Sequence, residues 1–287
     1  SAASDVYKRQ QEERLIFHKG RPNLNDMSEE LVEEFITVES IFVRGRNCLA
    51  LRSKFSPLFT DYYLHLMQYG LRNEELCDSL LKELMAYFTL YMVARPWAEQ
   101  HAWTVNLRTP AVANLFVTGS SLTESVVGRV FTQDIKEPEE NTLYSTLLRK
   151  GFEPQYSVVP IPGTSPARWV EEFYRQSEQR NARCIELPDE CYTMVTAQPD
   201  ADEEWLASLT REKMAHLEED ENTRVLETRR FRFYCGCTLD RILPTLKTLQ
   251  DNREDLFQGE EELEVTCPRC AVSYTHLRAH ETSQDLV

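Results

Sequence analysis

Residues 233–240 read FYCGCTLD and residues 265–270 read VTCPRC, and together they hold four of the eight cysteines in the 287-residue chain. Cys235 and Cys237 form a C-x-C pair, and Cys267 and Cys270 form a C-x-x-C pair. Each short turn brings two sulfurs to one metal ion at little entropic cost, and four soft thiolates suit a tetrahedral zinc ion. The spacing therefore predicts that these four cysteines bind zinc.

The two cysteine pairs also predict redox chemistry. A C-x-C pair is unusual in a purely structural zinc ribbon, and it places two sulfurs close enough for a strained disulfide. Zinc holds its ligands as thiolates, the form that peroxide and hypochlorous acid attack. Two other interpretations stay open: a constitutively zinc-stabilised protein-binding module, and a thiol-disulfide oxidoreductase that uses Cys267 and Cys270.

Composition excludes several classes of protein. The formal net charge of -15 opposes the attraction that draws proteins to phosphate backbones, so nucleic acid is not expected as a partner. No apolar run reaches the roughly 20 residues that a membrane span needs, and no secretory signal is recognisable, so a cytoplasmic location is expected. The remaining cysteines have no metal-like spacing and are predicted to fill the core: Cys48, Cys77, Cys184 and Cys191.

Strands and helices are predicted in blocks, which favours an α+β fold. Asn73 is a plausible N-cap for the second helix, and Pro166 marks the start of a third. Apolar residues at helical spacing predict helices at 57–69 and 73–93. Alternating or β-branched residues predict strands in the ranges 35–51, 102–118, 125–135, 156–162 and 183–195.

The chain divides into segments of different composition. An α+β core is expected at 36–198, an acid-rich helical linker at 199–231 and a zinc-binding redox-switch domain at 232–272. Residues 11–35 are expected to be an N-terminal extension. Residues 1–10 and 273–287 resemble translated sequencing-adapter read-through and are set aside as artefacts.

Three stretches resemble one known family, the bacterial redox-regulated holdase chaperones called heat-shock protein 33, over roughly residues 38–271. The cysteine spacing follows an aromatic and basic strand at 230–234, and an acidic segment at 260–263 precedes the second pair. EPQYSVVPIPGTSPARWVEEFYRQSEQRNAR at 153–183 is similar to a strand and helix of the family, and MVTAQPDADEEWL at 194–206 is similar to its linker junction.

The resemblance implies a function that is not enzymatic. In the reduced state the four cysteines would hold zinc, and the protein would be inactive. On oxidation Cys235 would pair with Cys237 and Cys267 with Cys270, zinc would leave, and the linker and zinc domain would unfold to expose apolar surface. The partners would then be unfolding client proteins, bound without ATP, and the family also suggests a homodimer of the oxidised form.

Overall fold

The computed structural model describes residues 35–242 and 262–277, and its main element is one ten-stranded sheet. Across the sheet the order is β7-β6-β3-β4-β5-β10-β1-β2-β9-β8, and a separate hairpin pairs β11 with β12. The strands are β1 Ile36–Val43, β2 Cys48–Lys54, β3 Glu99–Leu107, β4 Ala113–Ser120, β5 Ser125–Phe131, β6 Thr142–Arg149, β7 Gln155–Pro160, β8 Ala182–Leu187, β9 Cys191–Ala197, β10 Thr223–Phe233, β11 Glu262–Thr266 and β12 Ser273–Leu277.

Three longer helices pack against the large sheet, which confirms the predicted α+β class. They are α1 Ser56–Gln68, α2 Glu75–Val93 and α3 Pro166–Phe173, which continues into a π-helical turn at Tyr174–Glu178. The second half of α2 is buried on every side, as expected for a helix that is apolar all round. Gly119 lets α2 approach the sheet, because a Cβ there would lie 2.8 Å from Cε of Met92 and 2.6 Å from the Ser125 carbonyl oxygen.

Two details of the predicted core are wrong. Asn73 is not the N-cap of α2: that position is Glu74, and the Asn73 side chain instead donates hydrogen bonds to the Tyr62 hydroxyl and the Asp78 carboxylate. Strand β6 was not expected from the sequence, although it pairs with both β3 and β7. The predicted helix start at Pro166 is confirmed.

Strand β10 corrects the predicted helical linker at 199–231. Only its first part is helical, in three short helices: α4 Glu203–Ala207, α5 Arg211–Ala215 and α6 Leu217–Asp220. Residues 223–233 form a strand. Phe231 and Phe233 alternate with arginines, and both phenylalanines are buried on one face. Burial of every second residue fits a strand, whereas a helix would repeat about every 3.6 residues.

The same strand joins the two halves of the sheet. β10 pairs antiparallel with β1 along its length, from Ile36 opposite Phe231 to Val43 opposite Thr223. Its parallel pairing with β5 covers only two residue pairs, Arg232 with Ser125 and Phe233 with Val126. The connection between the halves is therefore short, and it lies directly before Cys235.

The turn between β1 and β2 holds both ends of the helical segment 199–222. The Arg46 guanidinium donates to Asp202, just before α4, at 2.7 Å and to Glu221, just after α6, at 3.2 Å. It also stacks on Trp205, whose indole N–H donates to the same Glu221 carboxylate. One arginine thus closes the segment into a loop on the core.

Several expectations fall on residues outside the described ranges. At the start of the chain these are residues 1–34, which include the segment 1–10 and most of the extension 11–35. Further along they are residues 243–261, within the predicted zinc domain, and residues 278–287. Residues 273–277, which the sequence analysis set aside, form β12 and pair with β11. Among the described residues, no helix is both long and apolar enough to cross a membrane.

Replacing Arg46 with Met should free the 199–222 loop. The substitution keeps an aliphatic stem near Trp205 but removes both ion pairs, so limited proteolysis should cut within 199–222 several-fold faster than in the original chain. Lys213→Met is the matched control, because the Lys213 side chain lies within the loop and donates to Ser208 of the same loop. Equal cleavage of both variants would contradict this role for Arg46.

Candidate metal centre

The first pair of cysteines follows the end of β10. Gly236 separates them with φ +64°, a left-handed conformation that favours glycine. A Cβ there would also lie 3.0 Å from the Tyr234 ring and 3.1 Å from the Arg241 guanidinium. That guanidinium donates a 2.6 Å hydrogen bond to the Gly236 carbonyl oxygen, so the C-x-C turn is fixed from outside as well as by its own backbone.

The second pair lies in the turn between β11 and β12. The Cys267 N–H donates to the Val272 carbonyl at 2.8 Å, and the Ala271 N–H donates to the Cys267 carbonyl at 3.0 Å. Ala271 takes a positive φ of 65°, which closes the turn. Cys267 and Cys270 are each only 2% exposed, so this turn is pressed against the core.

The four sulfurs converge. All of them lie within 4.8 Å of one another, with Cys235 and Cys267 at 3.7 Å and Cys237 and Cys270 at 3.4 Å. A tetrahedral zinc ion with Zn–S bonds of ~2.3 Å needs sulfur–sulfur separations of about 3.8 Å. Both the geometry and the all-thiolate donor set therefore fit zinc, as the sequence spacing predicts.

The clustered thiols compete for protons when no metal neutralises them. The pKa of Cys267 is held well below its usual range, first because Cys235 and Cys270 donate hydrogen bonds to its sulfur. The same sharing raises the pKa of Cys235 to about 12 and the pKa of Cys270 above its ordinary value.

The core supplies neighbours that sequence reasoning did not find. His65 of α1 approaches the Cys270 carbonyl oxygen at 2.9 Å, and Arg129 of β5 donates to the Cys267 carbonyl oxygen at 2.9 Å. The Tyr274 hydroxyl donates to the Cys237 carbonyl at 2.9 Å and lies 3.1 Å from its sulfur. His65 and Arg129 are more than 130 residues away in sequence from the cysteines they contact, so no local pattern could have indicated them.

The other four cysteines are buried and free, as the sequence predicts. Burial raises the pKa of Cys48 to about 11, and it raises the pKa of Cys184 well above its ordinary value. Such thiols stay protonated at neutral pH and are poor nucleophiles. The proposed redox chemistry is therefore confined to the four clustered cysteines.

A family model matches part of the chain. The model of the Hsp33 protein family matches residues 185–276, a range that spans strands β9 and β10 and all four clustered cysteines. This part of the chain is similar to the Hsp33 family. The 33 kDa chaperonin of Methylobacillus flagellatus is 23% identical over 153 residues, which is 44% of this chain and 51% of that relative. The matched segment thus spans about half the length of that relative.

A solved structure shares the fold. The crystal structure of the 33 kDa chaperonin, a heat shock protein 33 homologue, from Thermotoga maritima superposes with a TM-score of 0.63 and covers 85% of this chain and 95% of its own. Sequence identity over this match is 15%, so the likeness shows the fold alone. The match to the family model and the likeness of fold are therefore separate observations.

The metal assignment predicts a specific loss of zinc on mutation. Reduced protein should bind about one zinc ion per chain, the stoichiometry of a four-thiolate site, and Cys237→Ser should bind substoichiometric zinc because one ligand is lost. Elemental analysis after gel filtration measures both. Cys77→Ser is the control, because Cys77 is fully buried in α2 and outside the cluster. Unchanged zinc content in Cys237→Ser would contradict the assignment.

Proposed function

We propose that this chain is a redox-regulated, ATP-independent holdase that binds unfolding proteins after its four clustered cysteines are oxidised. The observation that carries the proposal is the placement of these sulfurs, all within 4.8 Å of one another, at the end of the strand that joins the halves of the sheet. The match of residues 185–276 to the Hsp33 family model supports a chaperone function. In this proposal the chain has no enzymatic activity, and the cysteines act as ligands and sensors.

The chemistry of the switch follows from the thiolates. Bound zinc would keep all four sulfurs ionised and so available to an oxidant. Two thiolates then give two electrons to hydrogen peroxide, which takes up two protons and leaves as two water molecules while one disulfide forms. Pairing of Cys235 with Cys237 and of Cys267 with Cys270 rests on the family resemblance.

Loss of the metal would remove the main stabilising interaction between the two cysteine turns. The hairpin β11–β12 is small, and a folded cysteine module of this size depends on its metal for on the order of 10 kcal/mol. When it detaches, the rings of Tyr62, His65 and Phe233, which lie against one another beside the module, lose their cover. Apolar surface is thereby exposed next to the sheet.

A second apolar surface is exposed at the β6–β7 edge of the sheet. Tyr156 and Phe152 are each 72% exposed, and Val158 lies directly opposite Tyr144 on the neighbouring strand. Contiguous exposed apolar residues of this kind are typical of protein-interaction sites. This surface supports binding of client proteins, which expose their own apolar segments as they unfold.

The oxidoreductase alternative has less support. An enzymatic C-x-x-C pair needs one accessible sulfur, whereas Cys267 and Cys270 are each 2% exposed in the turn of a hairpin. A constitutive zinc-stabilised binding module stays the second candidate, because the same geometry would serve it. The two candidates differ in the redox state that binds a partner.

The partners would be unfolding client proteins, with a homodimer of the oxidised form, and neither nucleic acid nor membrane would be bound. The chain would act in the cytoplasm, where reducing conditions keep the cysteines in the zinc-binding state until oxidative stress.

The test compares client aggregation in two redox states. Reduced, zinc-loaded protein should leave the aggregation of a thermally denatured client unchanged, whereas protein treated with peroxide at mildly raised temperature should suppress it at near-equimolar ratio. Zinc release is followed in the same sample with a chromogenic chelator. Cys77→Ser should behave as the original chain. Zinc release without suppression, or suppression only in the reduced state, would overturn the holdase proposal, and the second result would favour the constitutive module.

A further inference from the structure

Two side chains of the core hold the C-x-x-C turn by its backbone. Arg129 Nη1 donates to the carbonyl oxygen of Cys267, and His65 Nε2 lies at the same 2.9 Å from the carbonyl oxygen of Cys270. A carbonyl oxygen only accepts hydrogen bonds, so Nε2 of His65 carries the proton in this contact. The first and last residues of the turn are thus each bonded to a different element of the core.

Both donors are held in place by aromatic neighbours. The Arg129 guanidinium stacks over the Phe131 ring at 4.3 Å from the centroid. The His65 ring contacts Tyr69 at 4.9 Å and Phe233 at 5.3 Å between centroids. A donor that is already oriented loses little side-chain entropy when it forms a hydrogen bond. Each of these bonds therefore stabilises the turn more than a hydrogen bond from a mobile surface side chain would.

The charge of the cysteine cluster strengthens the contact with Arg129. Four thiolates around one Zn²⁺ carry a net charge of about −2, the state that four-thiolate zinc sites adopt. Partial burial lowers the pKa of Arg129, and the charges of Cys267 and Cys270 oppose that shift. The guanidinium therefore interacts with the thiolate charge as well as with the carbonyl oxygen.

We propose that Arg129 and His65 form a latch that positions the C-x-x-C turn on the core and sets how readily the cysteine cluster gives up its metal. The inference rests on the proposed function, and it assigns positioning roles to two residues outside the ligand set. The latch also gives the core a direct connection to the redox state of Cys267 and Cys270.

Oxidation would open the latch for a geometric reason. A disulfide between Cys267 and Cys270 brings their sulfurs to about 2.05 Å, far closer than the spacing of zinc ligands. The two side chains must rotate to allow this approach, and the carbonyl oxygens that accept from Arg129 and His65 belong to the same two residues. The reaction also consumes two thiolates, whose electrons reduce peroxide to water, so their attraction to Arg129 is lost.

The test measures zinc release in the absence of any client protein. At fixed peroxide concentration, Arg129→Met should release zinc to a chromogenic chelator about tenfold faster than the original chain, the scale of one charge-assisted hydrogen bond. Arg129→Lys keeps the charge and should restore much of the original rate. His65→Leu should also accelerate release, and His65→Gln, which keeps an N–H donor, should do so less.

Arg168→Met is the matched control, because the exposed Arg168 pairs with Glu171 of α3 and is not among the contacts of the four clustered cysteines. Its release rate should equal that of the original chain, and the melting temperature of the core should be the same in all variants. Unchanged release in both Arg129→Met and His65→Leu would overturn the latch. The latch would also be overturned if the variants that release zinc faster have a lower melting temperature, and if Arg129→Lys and His65→Gln do not restore the original release rate. If the zinc-release rates follow the prediction but the oxidised protein does not suppress client aggregation, the proposed function is overturned and the latch is not.

Discussion

The short parallel ladder between β10 and β5 is the constraint on which the rest of the structure depends. Only Arg232 with Ser125 and Phe233 with Val126 form register pairs, and this is where the two halves of the ten-stranded sheet meet. Two residues later the chain enters the cysteine cluster. A metal site that organises Cys235 and Cys237 therefore also fixes the end of the strand on which the continuity of the sheet depends.

The other contacts extend this arrangement to both ends of β10. At its end nearest the cysteines, Phe233 packs against Tyr62 and His65 of α1, and Arg129 reaches the C-x-x-C turn from β5. At its beginning, the helical loop 199–222 closes on Arg46 of the β1–β2 turn. A change at the cysteines can reach that loop through the strand itself, since a strand with weakened pairing at one end is easier to displace along its length.

Sequence reasoning predicts the clustering of four cysteines and much of the fold, because both depend on local patterns. The spacing of the four cysteines indicates a group that could hold a metal without any tertiary information, and the apolar pattern of α2 indicates a buried helix. The linker is predicted as helical up to residue 231 because its apolar residues form a loose helical face among many charges, although the family resemblance already implies an aromatic and basic strand at 230–234. His65 and Arg129 could not be predicted, because only the tertiary fold brings them to the cysteines.

Hydrogen exchange measured by mass spectrometry tests the central claim most directly, namely that β10 transmits the state of the cysteines to the rest of the fold. Reduced zinc-loaded protein and peroxide-treated protein are compared at the same mildly raised temperature. The account predicts that oxidation lowers protection in peptides covering 223–233 and 199–222, with β3 and β4 unchanged. Loss of protection confined to the cysteine turns, with β10 as protected as before, would contradict it.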